Sequence, residues 1–155
     1  MLLKFEDGRQ FAQGACSFVY RPATERETKH RIFVPVQIES IQTEAVVDTG
    51  GVYLVCHPEI ADLLRLDLAD KVGTDELNIR GRKIPGSLYR LYLTLLAEEG
   101  KPLTLEVSAF VPRLEPYETW DLPSFMGLTG CLEWIRFAVD PITDMFYFGA
   151  IYEGS

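Results

Sequence analysis

The stretch RIFVPVQIESIQTEAVVD, residues 31–48, constrains the fold more than any other part of the chain. Ile32, Val34, Val36 and Ile38 recur at period two, which places them on one face of a strand. Pro35 lies on the opposite face and has no N–H to give to a ladder, so it marks an edge or a bulge. ESIQ then turns the chain, and TEAVVD enters a second strand that ends on Asp48. A carboxylate at the end of an apolar strand is costly unless it is paired, solvated or protonated. Asp48-Thr49-Gly50 therefore has two readings. It is an Asx-type turn that reverses the chain, or it holds a catalytic carboxylate in a poorly solvated place.

Short strands with turn punctuation continue on both sides. Asp7-Gly8 between apolar stretches signals a hairpin, and RPATERETKHR (21–31) reads as an exposed polar loop. After the glycines, HPEIADLLRL carries Pro58 in the first turn of a short helix, with Ile60, Leu63 and Leu64 expected on one face. Residues 74–96 read as a long hairpin whose tip is bracketed by Gly81 and Pro85-Gly86, with SLYRLYLTLL returning. Glu99-Gly100 is expected to close another hairpin into LTLEVSAFV. A loop, PRLEPYETWDLP, leads to Phe125-Met126-Gly127, a helix-like turn and two strands around Asp140-Pro141. The pattern predicts one all-β domain over residues 1–155 with one or two short helices.

Composition removes several function classes. A formal charge of −8 leaves no basic excess to displace counterions from a phosphate backbone, so nucleic acid is not an expected partner. The same charge disfavours anionic membranes, and no apolar run is long enough to span a bilayer. MLLKFEDGRQ turns polar at Lys4 and does not read as a secretion signal. Cys16, Cys56 and Cys131 are odd in number and widely spaced, which argues against a disulfide framework and for a reducing, cytoplasmic setting. Three cysteines and two histidines at unrelated spacings predict no metal site.

The ordered series of strand, turn, strand ending in Asp-Thr-Gly, and Pro-initiated helix, followed by Phe125-Met126-Gly127 and FAVDPITDMFYFG, resembles the retropepsin-like aspartic proteases over about residues 31–150. The resemblance implies a closed β-barrel acid-protease fold and a homodimer with one Asp from each chain, and the chain has no second Asp-Thr-Gly or Asp-Ser-Gly. It implies that Asp48 is the catalytic acid/base, that Gly50 offers its N–H to the carboxylate, and that Thr49 reaches across the dimer axis. It implies further that the 77–88 hairpin closes over a peptide or protein substrate, with Ile79, Gly81, Ile84 and Gly86 as substrate-binding positions and no cofactor. The apolar strand MFYF is then a candidate to pair with the partner's termini.

Gly51 departs from the family pattern, in which Ala or Ser follows the motif, and GRKIPG is more polar and less glycine-rich than such hairpins usually are. These departures give weight to a second reading, a proteolytically inactive retropepsin-like module that dimerises or binds peptides. Cys56-His57 invites a thiol nucleophile, but neighbours on a chain point apart, so Cys56 reads as core and His57 as a helix cap. Trp120 and Trp134 read as packed side chains, and His30 as a solvent-exposed one.

Overall fold

The computed structural model describes residues 2–151. Twelve strands follow in chain order: β1 (Gly14–Ser17), β2 (Val19–Pro22), β3 (His30–Ile38), β4 (Ile41–Val52), β5 (Leu54–Val55), β6 (Gly73–Ile79), β7 (Arg82–Leu95), β8 (Glu99–Gly100), β9 (Leu103–Pro112), β10 (Ser124–Thr129), β11 (Ile135–Asp140) and β12 (Met145–Ala150). One α-helix, α1 (Pro58–Leu64), and two 3-10 turns complete the described chain, so the expected all-β class stands.

Two sheets form. The larger runs β2-β3-β4-β10-β5-β9-β7-β6, and an additional pairing of β3 with β7 brings its strands round in a ring. The smaller runs β11-β12-β1-β8. The ring explains Pro35. On one side β3 pairs continuously with β4, whereas on the other Phe33 is the last residue paired with β2 and Val36 the first paired with β7. Pro35 occupies the gap, where no ladder hydrogen bond is lost.

The period-two pattern of β3 sorts side chains between two cores. Val34, Val36 and Ile38 join the main cluster with Ala45, Leu54, Leu93, Val107 and Met126. Phe33 and Val46 face the other way and meet Val55, Phe110 and Phe125 in a second cluster, covered by Leu77, Ile79, Trp120 and Leu122. Leu77 and Ile79 of β6 pack on this second cluster, which adds apolar burial to the β7–β9 ladder that ties the β6–β7 hairpin into the sheet.

Several local expectations are corrected. Strand β4 does not end at Asp48 but continues irregularly to Val52. The hairpin tip is Arg80-Gly81 alone, with φ of 54° and 79°, as a two-residue primed turn requires. Pro85-Gly86 sits inside β7, paired with Glu76 and Asp75. Glu99-Gly100 lies in the short connection that closes the β7–β9 hairpin, as expected, with Gly100 at a φ of 78°, and it pairs in addition with β1. In α1, Ile60 and Ala61 are buried and Leu64 packs on the core, while Leu63 is 67% exposed. The helix therefore buries positions i, i+1 and i+4, and position 63 points outward. Trp134 is also exposed, at 51%. The helical turn after Gly127 is a three-residue 3-10 piece, Leu132–Trp134. Finally, MFYF lies inside β12, flanked by β11 and β1, so its backbone is already paired on both sides and cannot add a partner's strand.

Candidate active site

Asp48 is positioned by a parallel pair. Strands β4 and β10 run together from Ala45↔Ser124 to Asp48↔Gly127, and then the register breaks before Val52↔Thr129. Four steps along β4 match two along β10, so the segment after Asp48 bulges out of the sheet. The bulge is pinned at its far end, where Tyr53 N–H donates to Thr129 O at 2.7 Å and Gly127 N–H donates to Tyr53 O at 2.8 Å. Gly127 is required there. A Cβ on it would lie 2.6 Å from the Val52 carbonyl carbon and 2.7 Å from both the Gly51 carbonyl carbon and Tyr53 O, all backbone atoms with no freedom to yield. This is the physical content of the Phe125-Met126-Gly127 element: two side chains for the two cores, then a surface bare enough for the Asp loop to cross.

The loop opens onto a cavity of about 240 Å³. Asp48, Gly50, Gly51 and Val52 form one wall, Leu77, Asn78, Ile79 and Arg80 of the hairpin form the other, and Val55, Phe125 and Gly127 lie between them. Asp48 is half-buried, while Thr49 and Gly50 are exposed. Among the described residues no hydrogen bond or ion pair reaches the Asp48 carboxylate; in particular, the expected bond from Gly50 N–H is not formed within the single chain. The other side chain in contact range is a missing one. A Cβ on Gly51 would sit 2.9 Å from Asp48 Oδ2, so the carboxylate rests where an alanine or serine would push it aside.

Of the predicted substrate-binding positions, Ile79 lines the cavity. Gly81 stands at the hairpin tip with nothing near its α-carbon face. Ile84 is buried, and Gly86 lies against the Phe110 ring, where a Cβ would come within 2.4 Å. These last three are not among the cavity-lining residues; they shape the hairpin and seat it on the second cluster.

Two contacts that join the walls were not anticipated. Tyr53 Oη donates to Asp75 Oδ2 at 2.7 Å, tying the Asp loop to β6. That bond is the main cause of a raised pKa for Tyr53 and a lowered one for Asp75. Arg80 closes the cavity at the tip. Its guanidinium lies 5.6 Å from the Phe125 ring centroid and donates to Glu27 through Nε at 2.5 Å and a terminal nitrogen at 3.2 Å. Neither Tyr53 nor Arg80 carries a local sequence signal, because each meets a partner more than twenty residues away.

Cys56 and His57 behave as helix entry rather than as a catalytic pair. His57 Nδ1 accepts from Glu59 N–H at 3.1 Å, capping α1, and its own N–H donates to Ser124 Oγ at 3.0 Å. Burial pushes the Cys56 thiol up to about 12, and Cys131 likewise, leaving no thiolate to attack. Cys16 is raised to about 12 by burial and then by Glu98. Among the described residues no group of His, Cys, Asp or Glu is arranged to hold a metal, and no helix is long and apolar enough to cross a membrane.

Neither a protein-family model nor a curated protein sequence matches the chain. The fold does match. The crystal structure of a retropepsin-like aspartic protease from Rickettsia conorii superposes with a TM-score of 0.54 at 20% identity, over 89% of this chain and 94% of that one. The chain thus has the retropepsin-like fold that its ordered motifs resemble.

Proposed function

We propose that the protein is an aspartic endopeptidase that works as a homodimer, with Asp48 of each chain forming the catalytic dyad. The observation that carries this reading is the unpartnered Asp48 carboxylate on the wall of a cavity whose opposite wall is a hairpin. A half-buried carboxylate without a donor is an incomplete arrangement in one chain. A second copy completes it: two such groups brought together share one proton, as in the aspartic proteases that serve as the standard example of this coupling. The pair holds a water, takes its proton as it attacks the peptide carbonyl, and returns a proton to the departing nitrogen. The two macroscopic pKa values then belong to the dyad, and activity follows a bell on the acidic side.

The surface around the loop supports a partner there. Thr49 and Gly50 are exposed, and Val52, Leu128 and Trp134 are exposed apolar side chains on the loop, on β10 and on the 3-10 turn that follows it. Substrates would be extended peptides lying between the hairpin and the Phe125–Val55 floor, with apolar side chains in the cavity.

A peptide-library cleavage assay from mildly acidic to neutral pH, comparing the wild type with Asp48→Asn, tests the reading. Cleavage by the wild type and none by the variant is expected; equal turnover by both removes Asp48 from the mechanism. Gly51 favours the second reading, a non-cleaving dimerisation or peptide-binding module, because it leaves the carboxylate displaced toward position 51. Peptide binding and dimerisation without turnover would establish that module instead.

A further inference from the structure

We propose that a basic recess beside the Asp48 cavity is a subsite for a carboxylate carried by the bound peptide. The recess, about 340 Å³, is lined by Arg26, Glu27, Thr28, Lys29, Arg31 and Arg80. Four cations face one anion there, in a chain whose formal charge is −8. Glu27 is already engaged by Arg80. Among the described residues Arg26, Lys29 and Arg31 take part in no ion pair, and Arg31 Nε is buried without any hydrogen-bond partner. A buried guanidinium donor is satisfied best by a carboxylate, whose two oxygens match its fork.

Arg80 makes the recess continuous with the cavity. It lines both, standing at the hairpin tip between the Phe125 ring on one side and Glu27 on the other. An extended chain leaving the Asp48 cavity past Arg80 would enter the recess one or a few residues beyond the apolar pocket. The inference rests on the reading of that cavity as a peptide site. It adds a specificity: apolar residues at the cavity, and an acidic group displaced from it on the Arg80 side.

The test uses full-length protein carrying Asp48→Asn, so that binding is measured without turnover. Fluorescence anisotropy compares C-terminally amidated apolar peptides bearing Glu or Gln at each position in turn. A parallel pair of Gln peptides with free-acid or amidated ends separates a side-chain carboxylate from a terminal one. Glu at one position should bind about tenfold tighter than Gln, the size of one charge-assisted hydrogen bond, with the advantage shrinking at high salt. The advantage, taken as the Glu-to-Gln affinity ratio within each variant, should vanish in Arg31→Gln and fall in the exposed-site double variant Arg26→Gln/Lys29→Gln. Equal affinity for Glu and Gln at every position with no gain from a free-acid end, including no binding of any peptide, overturns the proposal, as does a preference that survives both variants. Wild-type cleavage of the same peptides keeps the two readings apart. Cleavage without an acidic preference leaves the protease and removes the subsite, whereas an acidic preference in binding without cleavage does the reverse.

Discussion

Gly127 of β10 stands directly opposite Asp48 of β4 in parallel register, and the backbone of residues 51–53 crosses it too closely for even one methyl group. The position of the carboxylate is therefore set by the absence of a side chain on the neighbouring strand.

Gly127→Ala should destabilise the fold by about 3 kcal/mol, because the clash is with backbone atoms that carry ladder and loop hydrogen bonds. Denaturant unfolding checks this. A stability within about 0.5 kcal/mol of the wild type would mean that the loop yields freely, as only a surface site should.

Gly51→Ala is expected to behave differently. Gly51 is not in the left-handed region, and the atom in its way is the tip of the short Asp48 side chain, which can rotate. Stability should stay within about 0.5 kcal/mol of the wild type, since Ala also lowers the entropy of the unfolded chain. The peptide-cleavage rate should change severalfold as the carboxylate is re-aimed, because a small misplacement of a reacting group is felt in the rate. An unchanged rate would show that position 51 does not govern Asp48.

The Tyr53–Asp75 hydrogen bond gives a pH signature with two ends. Asp75, held below its ordinary 3.8 by the Tyr53 hydroxyl and then by Glu76 N–H, contributes fully above that value and loses its contribution as pH falls through the lowered one. Tyr53, held above its ordinary 10.0 mainly by Asp75, contributes fully below that value and loses its contribution as pH rises through the raised one. The difference in unfolding midpoint between the wild type and Tyr53→Phe should be constant across neutral pH and close at both extremes. A difference that persists unchanged into strong acid would show that the hydroxyl acts through something other than the Asp75 carboxylate, since Phe keeps the ring that stacks on Phe110 at 6.5 Å.

How much was legible in the sequence follows from the range of each cause. The β3–β4 pair is legible in the period-two pattern because alternation is local, and Pro35 marks an edge-like position because a missing N–H is local too. Asp48 and Phe125-Met126-Gly127 were legible through their order, although only the register showed that the glycine serves the Asp loop. What could not be read was pairing across distance. Glu99-Gly100 marks the β7–β9 hairpin but carries no sign that it also joins β1, MFYF looks like a free apolar strand and is internal, and Leu63 fits a helical stripe whose buried side is set by the sheet beneath it. Arg80 is the same case at the site: its place between two recesses depends on Glu27 and Phe125, both far away in the chain.

The shared dyad is tested most directly by subunit mixing. Wild-type protein is combined with Asp48→Asn at constant total concentration, under conditions that allow exchange, and peptide cleavage is followed against the wild-type fraction. If each active unit needs Asp48 from both chains, an equimolar mixture retains about one quarter of the wild-type rate, because only that share of dimers carries two carboxylates. Retention of about one half, in simple proportion to the wild-type chains present, would show that each chain acts alone and would contradict the dyad.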